Sequence, residues 1–218
     1  MSSNALDLNG VNLANVLSIA EALEARRLLS GPACVPVGVL GANDLYVNGT
    51  DGDDTIDVRL NGNAVEGNLN GQNYVSCSNL RFIQIYGYDG VDRITVQPEV
   101  STQALIRGGD KGDYIAGGSG DDVILGEGGN DVITGSGGND YIDGGADNDQ
   151  LTGWIGNDTL TGGSGRDYMW GDSGDDYFEN NNDGEIDIID GGDNYDTVYG
   201  YDTVNPADVL LSIENGGD

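Results

Sequence analysis

The chain has 218 residues, with 38 Asp and Glu against 8 Lys and Arg and no His, a formal net charge of −30. Like-charge repulsion makes nucleic acid and anionic membrane surfaces poor partners, and so large a charge opposes compaction unless cations neutralise it. The acids do not form blocks, as a solvated tail would. They recur singly beside apolar residues and the 38 glycines, which follow no triplet period and so serve turns.

Residues 1–30 stand apart. Leu13, Val16, Leu17, Ala20, Leu23 and Leu28 recur at helical spacing, which predicts a helix that starts near Asn12 and stops at Gly31-Pro32. The first residues lack the basic and apolar regions of a secretory signal. No apolar run approaches the roughly 18 residues of a membrane span. Residues 31–107 alternate short β-rich runs with turns, among them "TIDVRL", "AVEGNL" and "NYVSC". Asn61-Gly62 and Asn70-Gly71 predict type I′ hairpins, whose central residues both need positive φ, and so an antiparallel meander. Cys34 and Cys77 either form a disulfide, contributing roughly 4 kcal/mol by closing a loop of about 40 residues, or remain two buried thiols.

From Gly108 a strict period sets in. The chain reads GGDKGDYIA, GGSGDDVIL, GEGGNDVIT, GSGGNDYID, GGADNDQLT, GWIGNDTLT, GGSGRDYMW, GDSGDDYFE. Every block begins with Gly. The sixth residue is always Asp: Asp113, Asp122, Asp131, Asp140, Asp149, Asp158, Asp167 and Asp176. The eighth is always apolar: Ile115, Ile124, Ile133, Ile142, Leu151, Leu160, Met169 and Phe178. Repetition at a fixed short period is the mark of a solenoid. Looser copies flank the array, with Asp54, Asp92, Asp187 and Asp196 in the sixth position; plain Gly/Asp hairpins are the alternative there. In that register Val47, Ile83 or Ile85, and Leu105 stack on one sheet, and Ile56, Ile94 and Ile115 on the other.

Each nonapeptide ends in a minimal strand, one apolar side chain between two outward ones. The Gly-rich first six residues make a turn whose carbonyls face its concave side, where the sixth-position Asp adds a carboxylate. An all-oxygen cage suits a hard cation, and Ca²⁺ accepts many oxygens in flexible geometry where Mg²⁺ demands a tight octahedron. Zinc or copper would want His or Cys, and the array has neither. Lys111 and Asp147 replace Gly at position four and are expected to strain their turns.

The motif resembles the repeats-in-toxin, or hemolysin-type, calcium-binding family. The resemblance implies a right-handed parallel β-roll, with multiple Ca²⁺ ions held between turns n and n+2 by turn carbonyls and position-six Asp. Carried over, the candidate ligands are Asp54, Asp92, Asp113, Asp122, Asp131, Asp140, Asp149, Asp158, Asp167, Asp176, Asp187 and Asp196. To these are added the turn residues Gly118, Gly120, Gly129, Gly138, Gly145, Gly156, Gly163, Gly165 and Gly174. A second segment, "LEARRLLS" from Leu23 to Ser30, resembles the "LExRxLLS" element near the start of planctomycete-type surface proteins; an amphipathic cap on the roll is the other reading.

The expected fold is thus all-β: a parallel β-roll with an N-terminal helix and an inserted antiparallel meander. The expected divisions are 1–30 (cap or targeting), 31–107 (degenerate repeats and meander), 108–204 (calcium-binding roll) and 205–218 (cap strand and tail). The expected function is that of a secreted or cell-surface structural or adhesive protein that folds on calcium. The alternative is a secretion and folding module of a larger type I-secreted toxin or enzyme; the N-terminal helix and the C-terminal run "ADVLLSIE" favour the first. An enzyme is not expected, because every array carboxylate has a ligand position and no Ser–His pair or phosphate loop exists. Outward Tyr114, Tyr141, Tyr168 and Tyr177 suit an interface, which points to an oligomer, filament or surface lattice; a monomer with capped ends is the alternative.

Overall fold

The computed structural model describes residues 31–37, 42–179, 184–199 and 208–213. The helix expected within residues 1–30 lies outside the described residues. Among those described, the regular elements are strands, arranged in one nine-stranded and one ten-stranded sheet. No helix among them is long and apolar enough to cross a membrane.

Consecutive repeats feed the two sheets alternately, so each strand pairs in parallel with the one two repeats on. Val123, Tyr141, Thr159 and Tyr177 are register partners in the first sheet, and Tyr114, Val132, Gln150 and Tyr168 in the second. The eighth residue of each repeat points inward, because alternation along a strand leaves it between two outward neighbours. Two apolar stacks result. One runs Val47, Ile85, Ile106, Ile124, Ile142, Leu160, Phe178, Val198. The other runs Ile56, Ile94, Ile115, Ile133, Leu151, Met169, Ile189, Leu210. All but the half-buried Leu210 are buried. Leu105, expected in the first stack, faces outward and Ile106 takes its place. In an irregular stretch a one-residue slip exchanges the faces, and there the sequence offered no Gly–Asp frame to fix it.

At the N-terminal end the parallel order stops. Strand Gly31–Val37 pairs antiparallel with Ala42–Asn48, and Ala64–Leu69 pairs antiparallel with both Thr55–Asn61 and Gln72–Cys77. The second hairpin is the expected type I′ turn, with Asn70 at φ 53° and Gly71 at φ 70°. The first differs. Asn61 pairs with Ala64, so Gly62 and Asn63 form the loop, and only Gly62 has positive φ, at 63°. Glycine first with ordinary φ second is the type II′ pattern. Buried Cys77 is disulfide-bonded, and Cys34 is the only other cysteine in the sequence.

Candidate metal centre

The position-six aspartates form two continuous ladders along the two edges of the roll. In each, the backbone N–H of one Asp donates to Oδ1 of the Asp in the next coil of that edge. One edge runs Asp54, Asp92, Asp113, Asp131, Asp149, Asp167, Asp187, at 2.7–2.9 Å per step. The other runs Asp122, Asp140, Asp158, Asp176, Asp196, at 2.7–2.9 Å per step. The steps to Asp187 and Asp196 span 20 residues where the others in the array span 18, so a longer turn is absorbed without breaking the ladder.

These side chains are buried, each at 4 % exposure or less. Oδ2 of Asp92, Asp113, Asp131, Asp140, Asp149, Asp158 and Asp176 is buried with no hydrogen-bond donor. A buried carboxylate oxygen without a donor is costly, so each marks a place for a cation. Backbone oxygens share the same space. A Cβ on Gly126 would overlap both Asp131 Oδ2 and the Gly144 carbonyl oxygen; a Cβ on Gly135 would overlap Asp140 Oδ2 and lie 3.0 Å from the Gly153 carbonyl. The first-position glycines therefore leave a cradle open between successive coils of one edge, lined by carboxylate and carbonyl oxygens. Its donors are all oxygen, which fits Ca²⁺ and not a nitrogen- or sulfur-seeking metal. Among the described residues no group of three or more His, Cys, Asp or Glu gathers as a metal cluster, because backbone oxygen makes up much of the donor set.

Burial raises the carboxyl groups first, and like charges one coil away raise several of them further. Asp140 and Asp149, flanked by an aspartate on either side, are pushed up to about 8. Asp113 and Asp176 rise to about 7, and Asp122, Asp131 and Asp158 to about 6. The fold thus holds a column of carboxylates that ionise reluctantly until a cation arrives.

The turn glycines expected as carbonyl ligands stack over the backbone of the coil before. The Cβ positions of Gly129, Gly138, Gly145, Gly156, Gly163, Gly165 and Gly174 would each meet a carbonyl oxygen there. Gly118 and Gly120 lie over the irregular stretch Val100–Gln103. Lys111 and Asp147 hold φ of 73° and 77°, a left-handed conformation that costs a non-glycine residue energy. Two candidate ligands differ from the rest. Asp54 accepts from Thr50 at Oδ2 and from Asn70 at Oδ1. Asp122 accepts from Gly118 at 3.0 Å and from Ala104, which occupies the ladder position where other coils place an Asp.

Three features escaped the sequence reading. Asp208 extends the first edge, accepting from the Asp187 N–H at 3.1 Å; it lacks a glycine-rich lead-in, and only the following Val-Leu-Leu betrays it. The first-position glycines were visible as a column but not read as cradle walls. The fifth position carries a second ladder of opposite polarity: Asn148 and Arg166 N–H groups donate back to Asn130 and Asn148, and Asn139, Asn157 and Asp175 donate back to Asp121, Asn139 and Asn157. Asp or Asn at position five in six of the eight blocks was its signal.

Stacked all-oxygen turns on a parallel two-sheet solenoid define a calcium-binding β-roll. Residues 107–142, 125–160 and 153–183 match the RTX calcium-binding nonapeptide repeat in its four-copy form, so this array carries RTX-type calcium-binding repeats. No curated protein and no solved structure matches the chain.

Proposed function

We propose that the protein is an extracellular structural or adhesive element that folds on calcium, with the position-six aspartates and turn carbonyls as the ligands. The observation that carries this reading is the row of buried carboxylates whose second oxygens have no donor. Binding free energy then becomes folding free energy. Extracellular calcium modules bind at about 10⁻⁴–10⁻³ M, so the chain stays loose where calcium is scarce and sets where it is abundant. RTX repeats are typical of secreted proteins, which supports the location. The chain is not an enzyme in this reading, since the position-six carboxylates are committed to cations and the sequence has no His for general-base work. Circular dichroism during a calcium titration tests the reading: strand signal should rise with calcium and vanish with chelator, and a signal indifferent to chelation sinks it.

Self-association belongs to the same proposal. Tyr114, Tyr141, Tyr177 and Tyr199 are exposed on the outer faces, Tyr199 at 65 %, where amphipathic rings suit an interface. Light scattering with and without calcium tests it; a monodisperse monomer at high concentration in millimolar calcium refutes assembly and leaves the roll intact.

A further inference from the structure

The turns do not use all the acid of the array. On the outer face of the first sheet, Asp143, Thr161 and Glu179 are register partners in three successive strands. Side chains at paired positions of a parallel sheet project the same way, about 4.8 Å apart, so Thr161 lies between the two carboxyl groups. Its surroundings are unusual for an outer face. Thr161 is only 5 % exposed, and its Oγ1 is buried with no hydrogen-bond partner. Leu125 pairs with Asp143 on one side of the trio, with Arg107 beyond it, and Tyr199 pairs with Glu179 on the other. Tyr141 and Tyr177 stand in the neighbouring column, on the strands of Asp143 and Glu179.

One feature makes this more than an acidic patch at Asp143 and Glu179. The hydroxyl between them is an oxygen donor taken out of water and left unused, which costs free energy unless something fills the place. Two carboxylates and a hydroxyl present up to five oxygens from one side, part of the 6–8 that Ca²⁺ takes.

We propose that Asp143, Thr161 and Glu179 form a calcium site on the outer face of the sheet, separate from the turns, whose remaining coordination positions face solvent. An ion in a turn cradle is enclosed by the coils on either side. An ion over Thr161 has protein on one side only, so it exchanges with solvent and can accept oxygen ligands from another molecule. The turn ions would hold the roll together and the outer ion would face its surroundings.

The test counts ions on the full chain. Native mass spectrometry in calcium should show E179Q and D143N each holding one ion fewer than the parent, with unchanged circular dichroism, because neither side chain is in the core. T161V should lose the same ion. Because that residue is buried and could misfold, exposed Glu179 is the deciding position. An ion count equal to the parent in both E179Q and D143N overturns the site. So does a lost ion accompanied by loss of strand signal, which would place the residues in the folding machinery. The outcome is separable from the proposed function: a roll that keeps its strands in chelator would sink calcium-dependent folding, yet the count would still drop by one in E179Q if the outer site exists.

Discussion

The two halves of the roll share a fold and are held by different forces. Residues 42–107 carry 9 acids against 4 bases, and residues 108–199 carry 22 against 2. The first half uses its bases. Arg81 pairs with buried Asp44 at 3.0 Å and Arg59 with Glu66 at 3.1 Å, while Gln97 and Asn70 donate to Asp57 and Asp54. It also buries extra apolar groups, among them Leu45, Val58, Val65, Val96 and Val100, and it closes on antiparallel strands and a bonded Cys77. The second half adds one buried aliphatic or aromatic residue per nonapeptide, about 1.5–3 kcal/mol each, and aligns carboxylates one coil apart. The same coil can thus be stabilised from within the chain or can leave its stability to a dissolved ion.

The sharpest way to break that comparison is to remove calcium. Chelation should strip amide protection from residues 113–199 and leave the strands of residues 55–77 protected longest, because their partners are covalent or built in. Hydrogen exchange followed along the chain would show it. Uniform loss in both halves would mean that the N-terminal part has no stability of its own.

Acid should partly replace calcium. Asp113, Asp122, Asp131, Asp140, Asp149, Asp158 and Asp176 are raised to about 6 to about 8 from an ordinary 3.8, so between pH 3.8 and about 8 the folded chain binds protons that the unfolded chain has released. Metal-free stability from this source is complete below that window and is lost as pH rises through it. In chelator, strand content at pH 5 should exceed that at pH 8, and calcium affinity should climb over the same range as protons are displaced. Circular dichroism equal at both pH values would contradict the burial of these groups.

At one site, Asp140→Ala removes the acceptor of the Asp122 N–H and one of the unpartnered oxygens. An orphaned buried donor costs about 1–3 kcal/mol, or roughly tenfold in the calcium midpoint per 1.4 kcal/mol. Glu66→Ala, which breaks a solvent-screened ion pair in the other half, should cost little stability and leave the calcium midpoint where it was. Equal shifts from the two substitutions would erase the distinction between the halves.

How far the sequence revealed this arrangement follows the same divide. In the array, Gly, Asp and an apolar residue recur in fixed columns because each coil must stack on its twin, so strands, stacks and ladders could be read from spacing alone. In residues 42–107 the coils are stabilised by pairings that need no period. Leu105 could not be told from Ile106 by alternation, nor could Asn61-Gly62 be told from Gly62-Asn63 as the turn. The donors to Asp54, Thr50 and Asn70, lie 4 and 16 residues away, with no motif to announce them. Thr161 was invisible for another reason: its burial depends on its neighbours across the sheet, which no spacing along the chain encodes.

Lys111 sits where the two halves meet and should give the smallest effect. Its backbone is held at φ 73° in a position where most coils have Gly, and its ammonium group favours the charged forms of both Asp92 and Asp113. It therefore acts on the first full turn of the array as a tethered, weak substitute for the ion. Lys111→Gly relieves the left-handed conformation, whose cost is on the order of 1 kcal/mol, and removes a charge that competes with calcium. Both changes should tighten binding at that turn, by about fivefold for each 1 kcal/mol, and make the calcium transition steeper as the turn joins the cooperative array. Lys111→Ala separates the causes, since it removes the charge and keeps the strain: its affinity should fall between the parent and the glycine variant. A calcium titration in which both variants bind more weakly than the parent would show that the ammonium group supports the ion's place and does not compete for it.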